Sequence, residues 1–167
     1  MSRQKGDIMR EVLISIQPKW VEKIVSGTKT VEVRRTRPKC ETHFKVYIYC
    51  TNWKDNTYWK NYYKGKLGKV IGEFVCDKIV EFPHDPCDPA FSETADLSCV
   101  GIDGLSEYLG HKDYGYGWHI TDLVVYDEPR QLNEFSRLVS GNMWSRIERL
   151  KRPPQSWCYI EPRQTAD

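Results

Sequence analysis

The sequence predicts an α+β fold, a small mixed β-barrel of about six strands with two or three short flanking helices. Three observations predict it. Short runs rich in Val and Ile recur along the chain, only two or three stretches carry helical spacing, and strands and helices do not alternate as a doubly wound sheet requires. The 167 residues have the size of one domain and can bury a core without metal or disulfide support. We expect that domain to span 12–161, with flexible tails at 1–11 and 162–167.

Residues 12–16 (Val-Leu-Ile-Ser-Ile) are apolar on both faces and read as a buried strand. Pro18 then suits a first helical position, and Trp20, Val21, Ile24 and Val25 recur at helical spacing until Gly27 closes the turn. Residues 29–34 alternate, with Val31 and Val33 on one face and Thr30, Glu32 and Arg34 on the other, and with Lys29 at the strand's entry. A third strand covers 45–50. Residues 69–82 form a long strand bent at Gly72, and the proline- and acid-rich stretch 83–96 reads as a surface loop. Residues 105–109 make one helical turn, and 117–126 a strand that Pro129 ends. Residues 131–139 read as a second helix, and 156–160 as the last strand.

Composition excludes several classes. Aromatic residues are 13% and charged residues 29%, unlike a disordered chain, and no apolar run approaches a membrane span. The polar amino end does not read as a signal peptide, so the expected location is cytoplasmic and the six cysteines are expected to be reduced. Lys plus Arg is 25 against 23 acids, a net charge of +2, so any polyanion site must be local.

Three clusters carry chemistry. In Gly27-Thr28-Lys29-Thr30-Val31-Glu32-Val33-Arg34-Arg35, a glycine turn delivers Lys29, Glu32 and Arg34 to a strand edge, where they either converge on a polar ligand or form a salt-bridge ladder. In residues 52–66, Trp53, Tyr58, Trp59, Tyr62 and Tyr63 interleave with Lys54, Lys60, Lys64 and Lys66. This segment reads as stacking and phosphate contacts for single-stranded nucleic acid, as an amphipathic helix packed on the barrel, or as a protein-docking patch. His84, Cys87, Cys99 and His111 have ligand types suited to zinc, but their spacing matches no zinc template, and no metal site is assigned. His119, between Trp118 and Ile120, reads as a strand-wall residue that also suits a cleft lining. No phosphate-binding glycine loop, nucleophile elbow or zinc-protease helix is present.

Taken in order, Ile14-Ser15-Ile16-Gln17-Pro18-Lys19-Trp20, Gly27-x-Lys29-x-x-Glu32-x-Arg34, Val70-Ile71-Gly72-Glu73-Phe74, Tyr116-Gly117-Trp118-His119-Ile120 and Pro153-Pro154-Gln155-Ser156-Trp157 closely resemble the ASCH family (activating signal cointegrator homology domain) of the PUA-like superfamily. The resemblance implies a PUA-like barrel with a cleft beside the helix after the first strand, and binding of RNA or a modified nucleoside without a cofactor. It carries the cleft to Gly27, Lys29, Glu32 and Arg34, with Glu73 as a second carboxylate; Arg35, Trp59, Lys60 and His119 complete the expected contacts. Some members hydrolyse the amide of 4-acetylcytidine with a lysine, a threonine three positions later and a glutamate on another strand, and others are metal-dependent nucleases. Lys29 matches the lysine, but Glu32 occupies the threonine position. A hydrolase reading therefore assigns Lys29, Glu32 and Glu73 as catalytic, with a carboxylate as general base if burial or a like charge raises its pKa.

Overall fold

A computed structural model describes residues 11–52, 65–141 and 143–162. β1 (Glu11–Ile16) is almost wholly buried, as its two-faced apolar sequence requires. It begins at Glu11, so that residue belongs to the sheet rather than to a tail. Gln17 precedes α1 (Pro18–Val25), where Pro18 takes the first turn and Pro18, Val21 and Ile24 face the core. The chain then crosses to β2 (Val31–Arg34), whose four residues are all buried.

β3 (Phe44–Cys50) runs parallel to β1 and antiparallel to β4 (Lys69–Pro83). β4 also pairs with β5 (Tyr114–Arg130), and β8 (Trp157–Ile160) closes on β1, giving one six-stranded sheet in the order β2-β5-β4-β3-β1-β8. Three register shifts along the β4–β5 ladder let these long strands coil the sheet into a half-barrel. Gly72 sits at one of them, where a Cβ would lie 2.4 Å from the Val124 carbonyl oxygen.

The inside of the sheet buries Ile14, Phe44, Ile48, Phe74 and Trp118 among others, each worth about 1.5–3 kcal/mol when an aliphatic or Phe side chain is fully buried. The other face packs Leu13, Tyr47 and Tyr49 against Leu132, Phe135 and Leu150. α2 (Pro89–Leu97) and α3 (Ile102–Leu109) cover a third cluster with Val33, Phe82 and Phe91.

Four expectations are corrected. Residues 83–96 are not all loop, because Asp88 accepts a bond from the Ala90 amide at 2.8 Å and Pro89 takes the first helical position, so the acids and prolines that suggested a loop start α2. Residues 131–139 do not form a helix: Leu132–Glu134 is a single 3₁₀ turn, and β6 (Ser136–Ser140) pairs antiparallel with β7 (Ser145–Arg149), a strand the sequence reading lacks. Leu132 and Phe135 are buried at helical spacing, but Leu138 is 53% exposed, so the apparent periodicity marks an anchor at the hairpin's base rather than one helix face. The single turn expected at 105–109 is the end of the longer α3, and β5 runs one residue past Pro129. No helix among the described residues is long and apolar enough to cross a membrane.

Candidate functional site

The site begins where α1 stops. Gly27 adopts φ +78°, a left-handed conformation that only glycine takes without strain, and its amide bonds the Ile24 carbonyl at 3.0 Å. Lys29 N donates to the Lys23 carbonyl, Thr30 N to the Leu97 carbonyl and Ile120 N to the Thr30 carbonyl. The entry to β2 is thus pinned to α1, α2 and β5 at once, which fixes where Lys29, Glu32 and Arg34 emerge.

Their side chains form one buried chain of charge. Lys29 is 2% exposed, and its Nζ donates to the carbonyls of Val31 (2.8 Å) and Ser98 (2.9 Å) while lying 3.1 Å from Glu32 Oε2. An ammonium has three N–H donors, and all three have acceptors here. Glu32 Oε1 meets Arg34 at 2.8 Å, and the same guanidinium nitrogen donates to the Ser15 carbonyl at 2.8 Å. Arg34 Nε is buried and has no acceptor among the described residues, and neither has Trp118 Nε1. Trp20 borders the chain, its ring centre 5.4 Å from Lys29 Nζ, and Tyr108, whose hydroxyl burial pushes above its ordinary pKa, lies within electrostatic reach of Arg34 and Glu32.

Segments distant in sequence meet at this point. Glu32 is opposite Trp118 in the β2–β5 ladder, so the two side chains share a face. Trp118 packs edge-on to Phe44 at 5.7 Å and against Trp157 at 5.8 Å. Ser15 accepts the Arg34 bond and donates its hydroxyl to the Pro154 carbonyl at 2.6 Å, while Trp157 Nε1 donates to Thr36 Oγ1 at 3.0 Å. The Gly-x-Lys, Gly-Trp and Pro-Pro-Gln-Ser-Trp elements therefore wall one polar floor.

Glu73 is not brought to that floor. It lies opposite Tyr47 in the β3–β4 ladder, pairs with Lys45 at 3.1 Å and accepts a bond from the Tyr126 hydroxyl, on the sheet face that carries Tyr47. Glu11 shares this second polar group, and burial, more than the nearby Glu73 charge, raises its pKa. Burial likewise raises Tyr126, assisted by its bond to Glu73. The structure thus brings Lys29 and Glu32 together and places Glu73 apart from them. Arg35 is spent on α3, where its Nε donates to the Tyr108 carbonyl at 2.7 Å and its guanidinium lies 4.9 Å from the Tyr108 ring centre. His119 is opposite Val31 and half-buried, and burial and then Lys78 hold its pKa below the ordinary value. Gly27 shapes the turn, with no atom within 4 Å of where a side chain would begin.

A family model for the ASCH domain matches residues 14–126. The chain belongs to the ASCH domain family. Solved structures agree on the fold: a variant of the ASCH protein from Zymomonas mobilis superposes with a TM-score of 0.65 at 21% identity, covering 92% of this chain and 89% of that one. The unsubstituted ASCH protein from Zymomonas mobilis gives 0.59 at 21% identity, covering 90% and 87%. Comparison with curated protein sequences gives no match. The six-stranded half-barrel with three helices is an ASCH, PUA-like α+β fold.

Trp59 and Lys60, with the rest of 53–64, lie outside the described residues. His84, one of the zinc-type residues, stacks on Phe91 and bonds Ser106 Oγ at 2.6 Å, and Cys99 Sγ donates to the Thr28 carbonyl at 3.4 Å. Among the described residues no three His, Cys, Asp or Glu side chains are placed to hold a metal ion. Sequence reasoning missed the Ser98 and Ser15 carbonyls and Tyr108. A carbonyl has no residue signature, whereas Trp118 and Trp157 were present as motif letters without a role.

Proposed function

We propose that this ASCH domain binds a nucleobase, carried on RNA or on a modified nucleoside, over the floor built by Lys29, Glu32 and Arg34. The observation that carries the reading is the buried Arg34 Nε, a charged donor without an acceptor among the described residues, beside a carboxylate held between two cations. A buried donor of this kind is costly unless a ligand accepts from it. A carboxylate that accepts beside a guanidinium that donates matches a base edge such as that of cytosine, where an amino donor adjoins ring N3 and O2 acceptors. Trp20, Tyr108 and Trp157 border the floor with aromatic surface of the kind on which unpaired bases stack.

Two features favour binding over hydrolysis. Lys29 has all three donors engaged, so it holds Glu32 in place instead of offering a nucleophile. Glu73, the carboxylate needed for a second catalytic position, belongs to another face. The test incubates wild type and Arg34→Gln with 4-acetylcytidine and with a short single-stranded RNA, with and without Mg²⁺ or Mn²⁺. Binding without turnover by wild type, weakened at least tenfold in the variant while its circular dichroism is kept, is the expected result. Release of cytidine or cut RNA by wild type replaces the binding reading with a hydrolase, and unchanged affinity in Arg34→Gln removes the cleft from it.

A further inference from the structure

The β6–β7 hairpin is built unlike the rest of the molecule. Within 136–152 lie Arg137, Arg146, Arg149, Lys151 and Arg152 against Glu148 alone, a local charge of +4 in a chain whose total is +2, so the remainder is slightly acidic. All five cations are exposed. Glu148 is taken by Arg146, with 2.5 Å between them. Exposed among the cations are Trp144 (79%), Met143 (81%) and Ile147 (65%), with Leu138 paired to Ile147 across the ribbon.

The base of the ribbon is fixed while its length is bare. Leu150 N donates to the Phe135 carbonyl and Glu161 N to the Ser136 carbonyl, both at 2.8 Å, and Leu132, Phe135 and Leu150 are buried beneath them. Such a two-stranded ribbon gains little stability from exposed Trp, Met and Ile, and apolar surface rimmed by cations fits a partner with flat faces and phosphates. The cations also lead towards the cleft. Lys151 and Arg152 precede Pro154, whose carbonyl accepts from Ser15, and the Ser15 carbonyl accepts from Arg34.

We propose that the hairpin is a second contact for single-stranded nucleic acid, Trp144 stacking one base outside the cleft and Arg137, Arg146, Arg149, Lys151 and Arg152 meeting the phosphates on either side of it. Identifying the polyanion as nucleic acid rests on the function proposed above. The charge complementarity and the exposed aromatic tip stand apart from it.

The test measures affinity of the full chain for a short labelled single-stranded RNA across a salt series, in wild type, Trp144→Ala, the combined Arg137→Gln, Arg146→Gln, Arg149→Gln variant, and Arg34→Gln. Trp144→Ala weakens binding about tenfold, and the triple variant lowers the slope of log affinity against log salt by about 2. Thermal melting confirms the fold, and affinity for free cytidine is unchanged in both hairpin variants. RNA affinity and slope that stay at wild-type values in both hairpin variants overturn the proposal, as does an absence of RNA binding by wild type. Loss of binding to phosphatidylserine vesicles with RNA affinity retained also overturns it and makes the ribbon a membrane contact. Arg34→Gln judges the cleft separately: full RNA affinity there, with losses in the hairpin variants, overturns the cleft reading and keeps this one.

Discussion

Replacing Glu32 by glutamine keeps the shape of the side chain and removes the one carboxylate on which Lys29 and Arg34 converge. Lys29 would retain the Val31 and Ser98 carbonyls and Arg34 the Ser15 carbonyl, but two buried cations would then face each other across a neutral amide. Breaking a buried pair by removing one partner costs about 3–5 kcal/mol, because the charge left behind keeps its desolvation penalty. For a domain of this size each kcal/mol lowers the melting temperature by about 2–4 °C, so the variant should melt about 6–20 °C below wild type. The assay is urea unfolding followed by far-ultraviolet circular dichroism, with the midpoint lowered and the slope kept. Glu148→Gln is the internal control: its pair with Arg146 is exposed, and its loss costs about 0–1 kcal/mol. A Glu32→Gln cost below about 1 kcal/mol, equal to that control, would refute the reasoning that the three charges form one buried unit.

Three further outcomes follow from the structure. Gly72→Ala places a Cβ 2.4 Å from the Val124 carbonyl oxygen, and should destabilise by about 1–3 kcal/mol in urea unfolding, since backbone must move to admit it. His119 has a folded pKa below its ordinary 6.5 through burial and Lys78, with Asp77 and Glu93 opposing. The unfolded chain therefore binds more protons in that window, and the contribution to stability is complete above the ordinary pKa and lost as pH falls from there through the lowered folded pKa. His119→Asn should flatten this part of a stability profile measured from about pH 5 to 7. Burial pushes the Cys50 and Cys76 thiols up to about 12, whereas Cys87 is exposed. Brief alkylation of the native protein, read by mass spectrometry, should label Cys87 and spare Cys50 and Cys76.

Much of the sheet was legible because its strands are apolar on both faces, as in Val12 to Ile16, or alternate cleanly, as in Val31 to Arg34. The start of α2 was written in Asp88-Pro89, but a reading that weighs prolines as breakers overlooks a proline at the first helical position. The hairpin was hidden for a different reason. Leu132 and Phe135 imitate helical spacing, and β6 is fixed as a strand by pairing with β7, a contact that local propensity does not encode. The site divided in the same way. Lys29 leaves the turn before β2, Glu32 and Arg34 leave β2 itself, and the three meet as their spacing suggests, whereas Glu73 required knowledge of which sheet face its strand presents. Register across the bulged β4–β5 ladder decides that, and a single sequence does not reveal bulges.

The central claim is that a base sits over Glu32 and Arg34, against the wall that Trp118 and Trp157 support. A proton–nitrogen correlation spectrum of labelled protein, titrated with cytidine, tests it directly. Arg34 Nε–H and the Trp118 indole N–H, both buried and without an acceptor among the described residues, should shift with nucleoside while the Trp144 indole at the hairpin tip stays in place. Saturating cytidine that leaves Arg34 and Trp118 unmoved, whether or not other signals shift, contradicts the account.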